Sequence, residues 1–204
     1  MSNRLNHTDK RRVVQHLHSV KMQSLIYCRS YFEFCMYRCF EFDDTITAYA
    51  AQPFVTPYLD ENGQLRHYKQ DALVKFNDMS HDNVEIKPKS RTASLTFRNL
   101  HEILKRHYEN LYGSPLKLYT EERYADGFFV NAESLYRYKA KPIKLIESEA
   151  LDKIATRQLP FAELKATLAA QKMHASTAFR LLSHSALQWD MNIKLNDDTL
   201  LEVA

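Results

Sequence analysis

The segments YKQDALVKF and VEIKP constrain the fold of this chain more than any others, because they place Asp71, Glu85 and Lys87 in two short apolar strands. Alternate residues of a strand point to one face of a sheet, so Glu85 and Lys87 share a face. If the two strands pair through the polar turn at 77–83, Asp71 and Glu85 converge at one edge. As a bare pattern, this spacing also fits ordinary charges at strand edges.

Two converging carboxylates repel each other unless a cation lies between them. Mg²⁺ prefers one or two carboxylates, a carbonyl oxygen and water, so the predicted ligands are Asp71, Glu85 and the backbone carbonyl of Ile86; we expect Mn²⁺ to substitute. Lys87 is placed to orient or help deprotonate an attacking water, or to stabilise charge on a phosphate. Glu33 is a charge among aromatic residues and needs a partner, for which the metal's water shell is a candidate.

Hydrophobic periodicity and turn residues give the order of elements around these strands. The pattern predicts a buried helix at 26–42, a strand at 47–58 with a proline interruption, a strand at 67–76, a strand at 84–87, a helix at 97–111 and a strand at 116–119. This order predicts a mixed α/β domain with a small central sheet. Residues 121–145 are interpreted as a less regular connector.

The last sixty residues differ in character. Helix-like runs at 160–171 and 175–186 precede a strict alternation of apolar and polar residues over Trp189–Leu195, and a turn then leads to Leu200–Val203. Two helices and a two-stranded ribbon predict a small winged-helix-like module. We therefore divide the chain into a basic arm at 1–24, a main domain at 25–145 and a C-terminal module at 146–204.

Charge is distributed unevenly along the chain. Residues 1–29 contain six lysines and arginines against one acid, residues 30–60 contain five acids against one base, and residues 85–107 contain six bases against two acids. Basic segments around an acidic patch suit a metal-using nuclease, although each cluster alone also fits solvated surface. The C-terminal module has eight acids and six bases, which favours protein docking over DNA binding there.

Composition excludes several classes of protein. Only three glycines are present, which argues against a glycine-rich phosphate loop. The absence of a long apolar run argues against a membrane span, and the N-terminus lacks the apolar core of a signal peptide. Cys28, Cys35 and Cys39 have the spacing of a helix face, so neither a zinc knuckle nor a disulfide is expected. We expect a cytoplasmic protein.

The runs CRSYFEF, AQPF, YKQDALVKF and VEIKP resemble the TnsA family over roughly residues 25–145. TnsA proteins are the endonuclease subunits of Tn-seven-like transposases, including CRISPR-associated ones. They share the PD-(D/E)xK restriction-endonuclease-like core. The resemblance implies that Glu33, Asp71, Glu85 and Lys87 form the catalytic metal site. Gln70 occupies the position where the family usually has proline, so we expect altered local geometry and retained activity.

The resemblance also implies a substrate and partners. The substrate is double-stranded DNA at transposon ends, cut on the non-transferred 5′ strand. The partners are a TnsB-like transposase and a TnsC-like AAA+ ATPase, in a bacterial cytoplasm at the nucleoid. The residues predicted to contact DNA are Arg29, Ser30, Gln52, Lys89, Arg91 and Arg98. Ser30 is equally explained as a helix cap.

Two alternatives remain open on the sequence alone. The first is another nuclease of the same fold, of the restriction or repair type. The second is a non-catalytic assembly subunit in which the acids are vestigial. Dependence of cleavage on a partner transposase would distinguish a transposase subunit from the first alternative. An unchanged product pattern after loss of Asp71 would favour the second.

Overall fold

The computed structural model describes residues 15–152, 154 and 158–203, which form a mixed α/β structure with several sheets. The described part starts with β1 (Gln15–Ser19), β2 (Ser24–Cys28) and α1 (Tyr31–Phe42). The middle contains β3 (Ile46–Ala51), β4 (Val55–Leu59), β5 (Leu65–Lys69), β6 (Ala72–Phe76), β7 (His81–Ile86), α2 (Leu95–Tyr112) and β8 (Leu116–Tyr119). The last part contains α3 (Asp126–Lys139), α4 (Leu145–Asp152), β9 (Gln158–Pro160), α5 (Phe161–Ala170), α6 (Ser176–Ser183), β10 (Leu187–Gln188) and β11 (Leu200–Val203).

A four-stranded sheet in the order β3-β6-β7-β8 lies between α1 and α2. The first three strands are antiparallel, and β8 runs parallel to β7. The predicted pairing through the polar turn is confirmed, since Ala72 lies opposite Val84. Met36, Tyr37 and Phe40 of α1 are fully buried against one face of the sheet. The sheet thereby fixes the relative positions of the ends of β6 and β7.

The strand predictions around residue 60 need one correction. Both predicted strands are interrupted: the first divides into β3 and β4, and the second into β5 and β6, with Gln70 and Asp71 between the halves. The strands β4 and β5 pair with each other as a separate hairpin. Proline at position 53 cannot donate a ladder hydrogen bond, which explains the first break.

The N-terminal predictions were partly wrong. Residues 1–14 of the predicted basic arm lie outside the described residues, but residues 15–28 form the β1-β2 hairpin. The helix predicted from residue 26 begins at Tyr31, because Ser30 caps it by accepting a hydrogen bond from the Glu33 backbone N–H at 3.1 Å. Leu17, Ile26 and Cys28 are buried against α1, so tertiary packing overrides the local helical pattern.

The prediction of an irregular connector at 121–145 was also wrong, because most of this segment is the helix α3. Ala132 and Leu135 of α3 are fully buried in a cluster with Cys39 and Phe42 of α1 and with residues of α5 and α6. The proposed division near residue 145 therefore crosses a continuous apolar cluster. In the described part of the chain, the helices are all too short or too polar to cross a membrane.

The C-terminal module has the two predicted helices, α5 and α6, beside a small sheet of order β10-β11-β9. The strand predicted at Trp189–Leu195 is wrong: β10 ends at Gln188, and a loop follows. The loop's backbone is held by the buried Asn131 side chain, which donates to the carbonyls of Met191 and Ile193 at 2.9 and 2.8 Å and accepts from the Leu195 N–H at 3.0 Å. Trp189, Met191 and Leu195 pack against the apolar cluster that includes α3, whereas Ile193 is exposed.

Replacing Asn131 with alanine is expected to destabilise the protein by about 1–3 kcal/mol, because one buried side chain satisfies three backbone groups. Chemical denaturation monitored by circular dichroism measures the change. Asn192→Ala is the matched control: Asn192 belongs to the same loop, is exposed and bonds only its neighbour Asp190, so its loss should cost less than about 0.5 kcal/mol. Equal effects of the two variants would contradict this role for Asn131.

Candidate active site

An open cleft of about 710 Å³ lies at the end of the sheet where β6 begins and β7 ends. Its wall includes all four residues predicted to form the catalytic centre: Glu33, Asp71, Glu85 and Lys87. They come from the start of α1, the break before β6 and the end of β7. Residues far apart in the sequence are thus brought to one surface by the strand pairing and by the packing of α1 on the sheet.

Asp71 is fixed by its backbone and its side chain together. Its N–H donates to the Val84 carbonyl at 3.0 Å, and its carboxylate oxygen Oδ2 accepts from the Ile86 N–H at 2.8 Å. Its carbonyl accepts from the Gln52 N–H at 2.7 Å and from the Tyr37 hydroxyl at 2.8 Å. These contacts direct the carboxylate towards the end of β7, where Glu85 lies.

Glu85 is held from both sides. Its Oε1 accepts from Lys87 Nζ at 2.5 Å, and its Oε2 accepts from the Tyr68 hydroxyl. Only 6% of Glu85 is exposed, whereas 30% of the Lys87 side chain is exposed. The Lys87 ammonium also lies 4.8 Å from the centre of the Phe97 ring on α2. The lysine is therefore oriented on the cleft wall with part of its surface open to a substrate.

The two carboxylates are electrostatically strained. Burial, together with the negative charge of Glu85, raises the pKa of Asp71 well above its usual range. The charge of Glu33 adds to this effect, while the hydrogen bond from the Ile86 N–H opposes it. A pair of acids in this state gains stability from a cation, so the electrostatics of the cleft fit a divalent metal ion.

The Glu33 carboxylate accepts hydrogen bonds from the residues at the start of α1. Its Oε2 accepts from the Arg29 N–H at 2.9 Å, and its Oε1 accepts from the Ser30 hydroxyl at 3.0 Å. Ser30 accepts in turn from the Glu33 N–H, which is close to a capping box. Glu33 is 6% exposed and lines the cleft without bonding Asp71 or Glu85. This position agrees with contact to a metal through water rather than direct ligation.

The residues predicted to contact DNA fall into two groups. Arg29, Ser30 and Arg91 line the cleft. Lys89, Arg98 and Gln52 do not. Lys89 is an exposed residue that pairs with Glu122, Arg98 is exposed on α2, and the Gln52 side chain lines a neighbouring groove. Arg29 and Arg91 are therefore the two cations of this predicted set that lie on the cleft wall.

Sequence reasoning missed the contribution of two tyrosines. Tyr68 donates to Glu85, and Tyr37 donates to the Asp71 carbonyl. Neither tyrosine had a local signal in the sequence, because each donates to a residue on a distant part of the chain. Gln70 is fully buried; its Nε2 donates to the Ala72 carbonyl at 3.1 Å, whereas its Oε1 has no partner among the described residues.

The donor set suits Mg²⁺ better than zinc. Within the described residues, no group of three or more histidine, cysteine, aspartate and glutamate side chains is close enough to hold a metal ion together. Mg²⁺ needs fewer protein ligands, because it keeps several waters and is bound by one or two carboxylates. Asp71 and Glu85 are the two carboxylates of the cleft placed for such a role, whereas Glu33 accepts hydrogen bonds at the start of α1.

The chain was compared with protein-family models and with curated proteins. No protein-family model matches the chain, and no curated protein matches it. The geometry of the cleft and the residues that carry the resemblance are therefore the features that bear on function.

Proposed function

We propose that the chain is a Mg²⁺-dependent DNA endonuclease subunit of a transposase, which hydrolyses the non-transferred 5′ strand at transposon ends. The observation that carries this proposal is the convergence of Asp71, Glu85 and Lys87 at one end of a mixed sheet, in an open cleft. The sequence order α1, β3, β6, β7, α2, β8 supports a PD-(D/E)xK core, because Asp71 directly precedes the second of these strands, and Glu85 and Lys87 lie at the end of the third.

The cleft residues have separate roles in this proposal. Asp71 and Glu85 hold the metal ion, with the Ile86 carbonyl as a further ligand, and Glu33 contacts it through water. When bound, Mg²⁺ neutralises charge on the scissile phosphate and lowers the pKa of a water ligand. Arg29 and Arg91, on the wall of the cleft, bind phosphate oxygens of the DNA backbone. Lys87 moves from Glu85 to orient the attacking water or to stabilise charge on the phosphate.

We further propose that the C-terminal module docks partner proteins, a TnsC-like ATPase or a TnsB-like transposase, in a bacterial cytoplasm. A pocket of about 310 Å³ lies between α5 and α6 and is lined mainly by apolar residues, among them Leu168, Met173 and Phe179. An apolar pocket accepts a side chain of a protein partner, whereas DNA binding needs a positively charged surface. This module has a small excess of acids.

Strand-resolved mapping of cleavage products tests the proposed activity. Labelled transposon-end DNA is incubated with the full chain, the partner transposase and the ATPase, with Mg²⁺ or with EDTA. We expect 5′-strand cuts only with Mg²⁺ and only with the full set of proteins. Partner-independent cleavage would instead indicate a restriction or repair nuclease. If an Asp71→Ala variant gives the same cuts as wild type, the chain is instead a non-catalytic assembly subunit.

A further inference from the structure

A second groove lies beside the cleft at the same end of the central sheet. It has a volume of about 410 Å³ and separates β2 from the outer edge of β3. We call it the lateral groove. Its lining includes Ser24, Tyr27, Ala51, Gln52 and Lys69. None of the described residues that line it is acidic, in contrast to the cleft.

Hydrogen-bond donors are concentrated in the lateral groove. The Lys69 ammonium is not paired with any carboxylate of the described residues. The hydroxyl groups of Ser24 and Tyr27 belong to exposed residues. The Tyr49 N–H leaves the outer edge of β3 to contact Met22 Sδ at 3.2 Å, so the N–H of Ala51, two residues further on, leaves the same edge towards the groove.

Gln52 is the least satisfied residue of the groove. Its Nε2 is enclosed and has no hydrogen-bond partner among the described residues. Its φ of 48° lies in the left-handed region, which is uncommon for a residue other than glycine. An enclosed donor without an acceptor costs about 1–3 kcal/mol, and residues held in such backbone conformations cluster at functional sites. Gln52 therefore gains from an incoming acceptor.

The lateral groove adjoins the cleft directly. The Gln52 N–H donates to the carbonyl of Asp71 at 2.7 Å, so one hydrogen bond separates the two walls. On the opposite wall, Tyr27 of the groove is two residues from Arg29 of the cleft. Two residues of extended chain span about 7 Å, which is of the same order as the distance between adjacent phosphates of one DNA strand, because the helical twist adds to the axial rise. A strand with its scissile phosphate in the cleft thus has a neighbouring phosphate at the groove.

We propose that the lateral groove binds a backbone phosphate of the DNA strand that is cut, adjacent to the scissile phosphate, through Lys69 and Gln52. This inference rests on the proposed function, because it assumes a DNA strand in the cleft. It adds a subsite that fixes the direction and register of that strand. The ligand class follows from the chemistry of the wall: one cation, several neutral donors and no acid bind a phosphodiester and repel no part of it.

DNA binding without cleavage tests the subsite. The full chain is titrated in Ca²⁺ against a fluorescein-labelled transposon-end duplex, and anisotropy gives the dissociation constant over a range of NaCl concentrations. We expect Lys69→Ala to weaken binding about fivefold and to reduce the slope of log K against log [NaCl] by about one. We expect Gln52→Asn, which tolerates the left-handed backbone but shortens the side chain, to weaken binding as well.

A matched lysine and a modified DNA make the test specific. Lys75→Ala is the control, since Lys75 is exposed at the opposite end of β6. Single methylphosphonate substitutions are then placed at each phosphate around the cut. One of these neutral linkages should weaken wild-type binding and make Lys69→Ala indistinguishable from wild type. The position of that linkage identifies the phosphate at the groove.

The outcomes separate the subsite from the proposed function. If wild type binds DNA but Lys69→Ala and Lys75→Ala behave alike, the subsite is wrong and the nuclease proposal stands. The subsite is also wrong if no methylphosphonate position removes the Lys69 effect. If the wild-type chain does not bind the duplex in Ca²⁺, the subsite is wrong, whereas the nuclease proposal is decided by the cleavage assay with the partner proteins.

Discussion

Asp71→Asn is expected to reduce cleavage by at least about a hundredfold while making the metal-free protein more stable. The first effect follows from the loss of a proposed metal ligand. Even changes to residues that only support a metal ligand reduce metal affinity or activity by about 10–100-fold. The second follows from the repulsion between Asp71 and Glu85, which raises the pKa of Asp71. Asparagine can still accept from the Ile86 N–H but has no charge.

Thermal melting in EDTA measures the stabilisation. Each kcal/mol of relieved repulsion should raise Tm by about 2–4 °C for a chain of this length. Adding Mg²⁺ should raise the Tm of wild type but leave the Asp71→Asn variant almost unchanged, because the ligand pair is then incomplete. Asp78→Asn is the matched control: Asp78 lies in the exposed turn between β6 and β7 and bonds only Ser80. A lower Tm for Asp71→Asn than for wild type in EDTA would contradict the repulsion.

The pH dependence of this stabilisation has a definite sign. Because the pKa of Asp71 is raised in the folded protein, the stability contributed by its protonated form is complete below the unfolded pKa of about 4. That stability is lost as the pH rises through the higher folded pKa. The Tm advantage of Asp71→Asn over wild type in EDTA should therefore grow with rising pH. A constant difference across that range would exclude titration of Asp71 as its cause.

Local patterns predicted the elements that surround the cleft. The apolar period of residues 97–111 gave the limits of α2 to within two residues, and β8 has the predicted limits. The alternation of Glu85 with Lys87 and the polar turn before it predicted the pairing of β6 with β7, which is confirmed. These features are local in sequence, so single-chain reasoning is sufficient for them.

Features that depend on distant partners were not predicted. The β1-β2 hairpin takes residues 24–28 away from the helical pattern because Ile26 and Cys28 pack on α1. The helix α3 has a weak periodicity of its own, and its buried residues Ala132 and Leu135 depend on α1 and the C-terminal helices. The hydrogen bond between Tyr68 and Glu85 joins residues seventeen apart on different strands. Such contacts become visible only when the strands are placed in space.

Glu41→Ala is the second change expected to have a large effect, on stability and not on chemistry. Glu41 is fully buried on α1, and its carboxylate accepts hydrogen bonds from the turn between β1 and β2. Oε1 accepts from the Ser19 hydroxyl at 2.5 Å and from the Tyr49 hydroxyl at 2.8 Å, and Oε2 accepts from the N–H groups of Val20 and Lys21 at 2.9 and 3.2 Å. One side chain thus joins the hairpin, the helix and the central sheet.

Truncation of Glu41 leaves four donors without their shared acceptor, so we expect a loss of about 3–5 kcal/mol in the free energy of unfolding. Glu41→Gln should recover much of it, because its amide oxygen can serve the two N–H groups while its NH₂ faces two hydroxyls, which also accept. Glu133→Ala is the surface comparison: its ion pair with Arg38 is largely exposed on the glutamate side and should contribute less than about 1 kcal/mol.

The hairpin carries Arg29 to the cleft and forms one wall of the lateral groove. A Glu41→Ala protein that remains folded at low temperature should therefore also bind DNA more weakly than Glu41→Gln. Denaturant unfolding and DNA anisotropy on the same samples measure the two effects together. If Glu41→Ala is as stable as Glu133→Ala, the buried carboxylate does not hold the hairpin. If its stability falls but its DNA affinity equals that of Glu41→Gln, the hairpin does not form part of the DNA-binding surface.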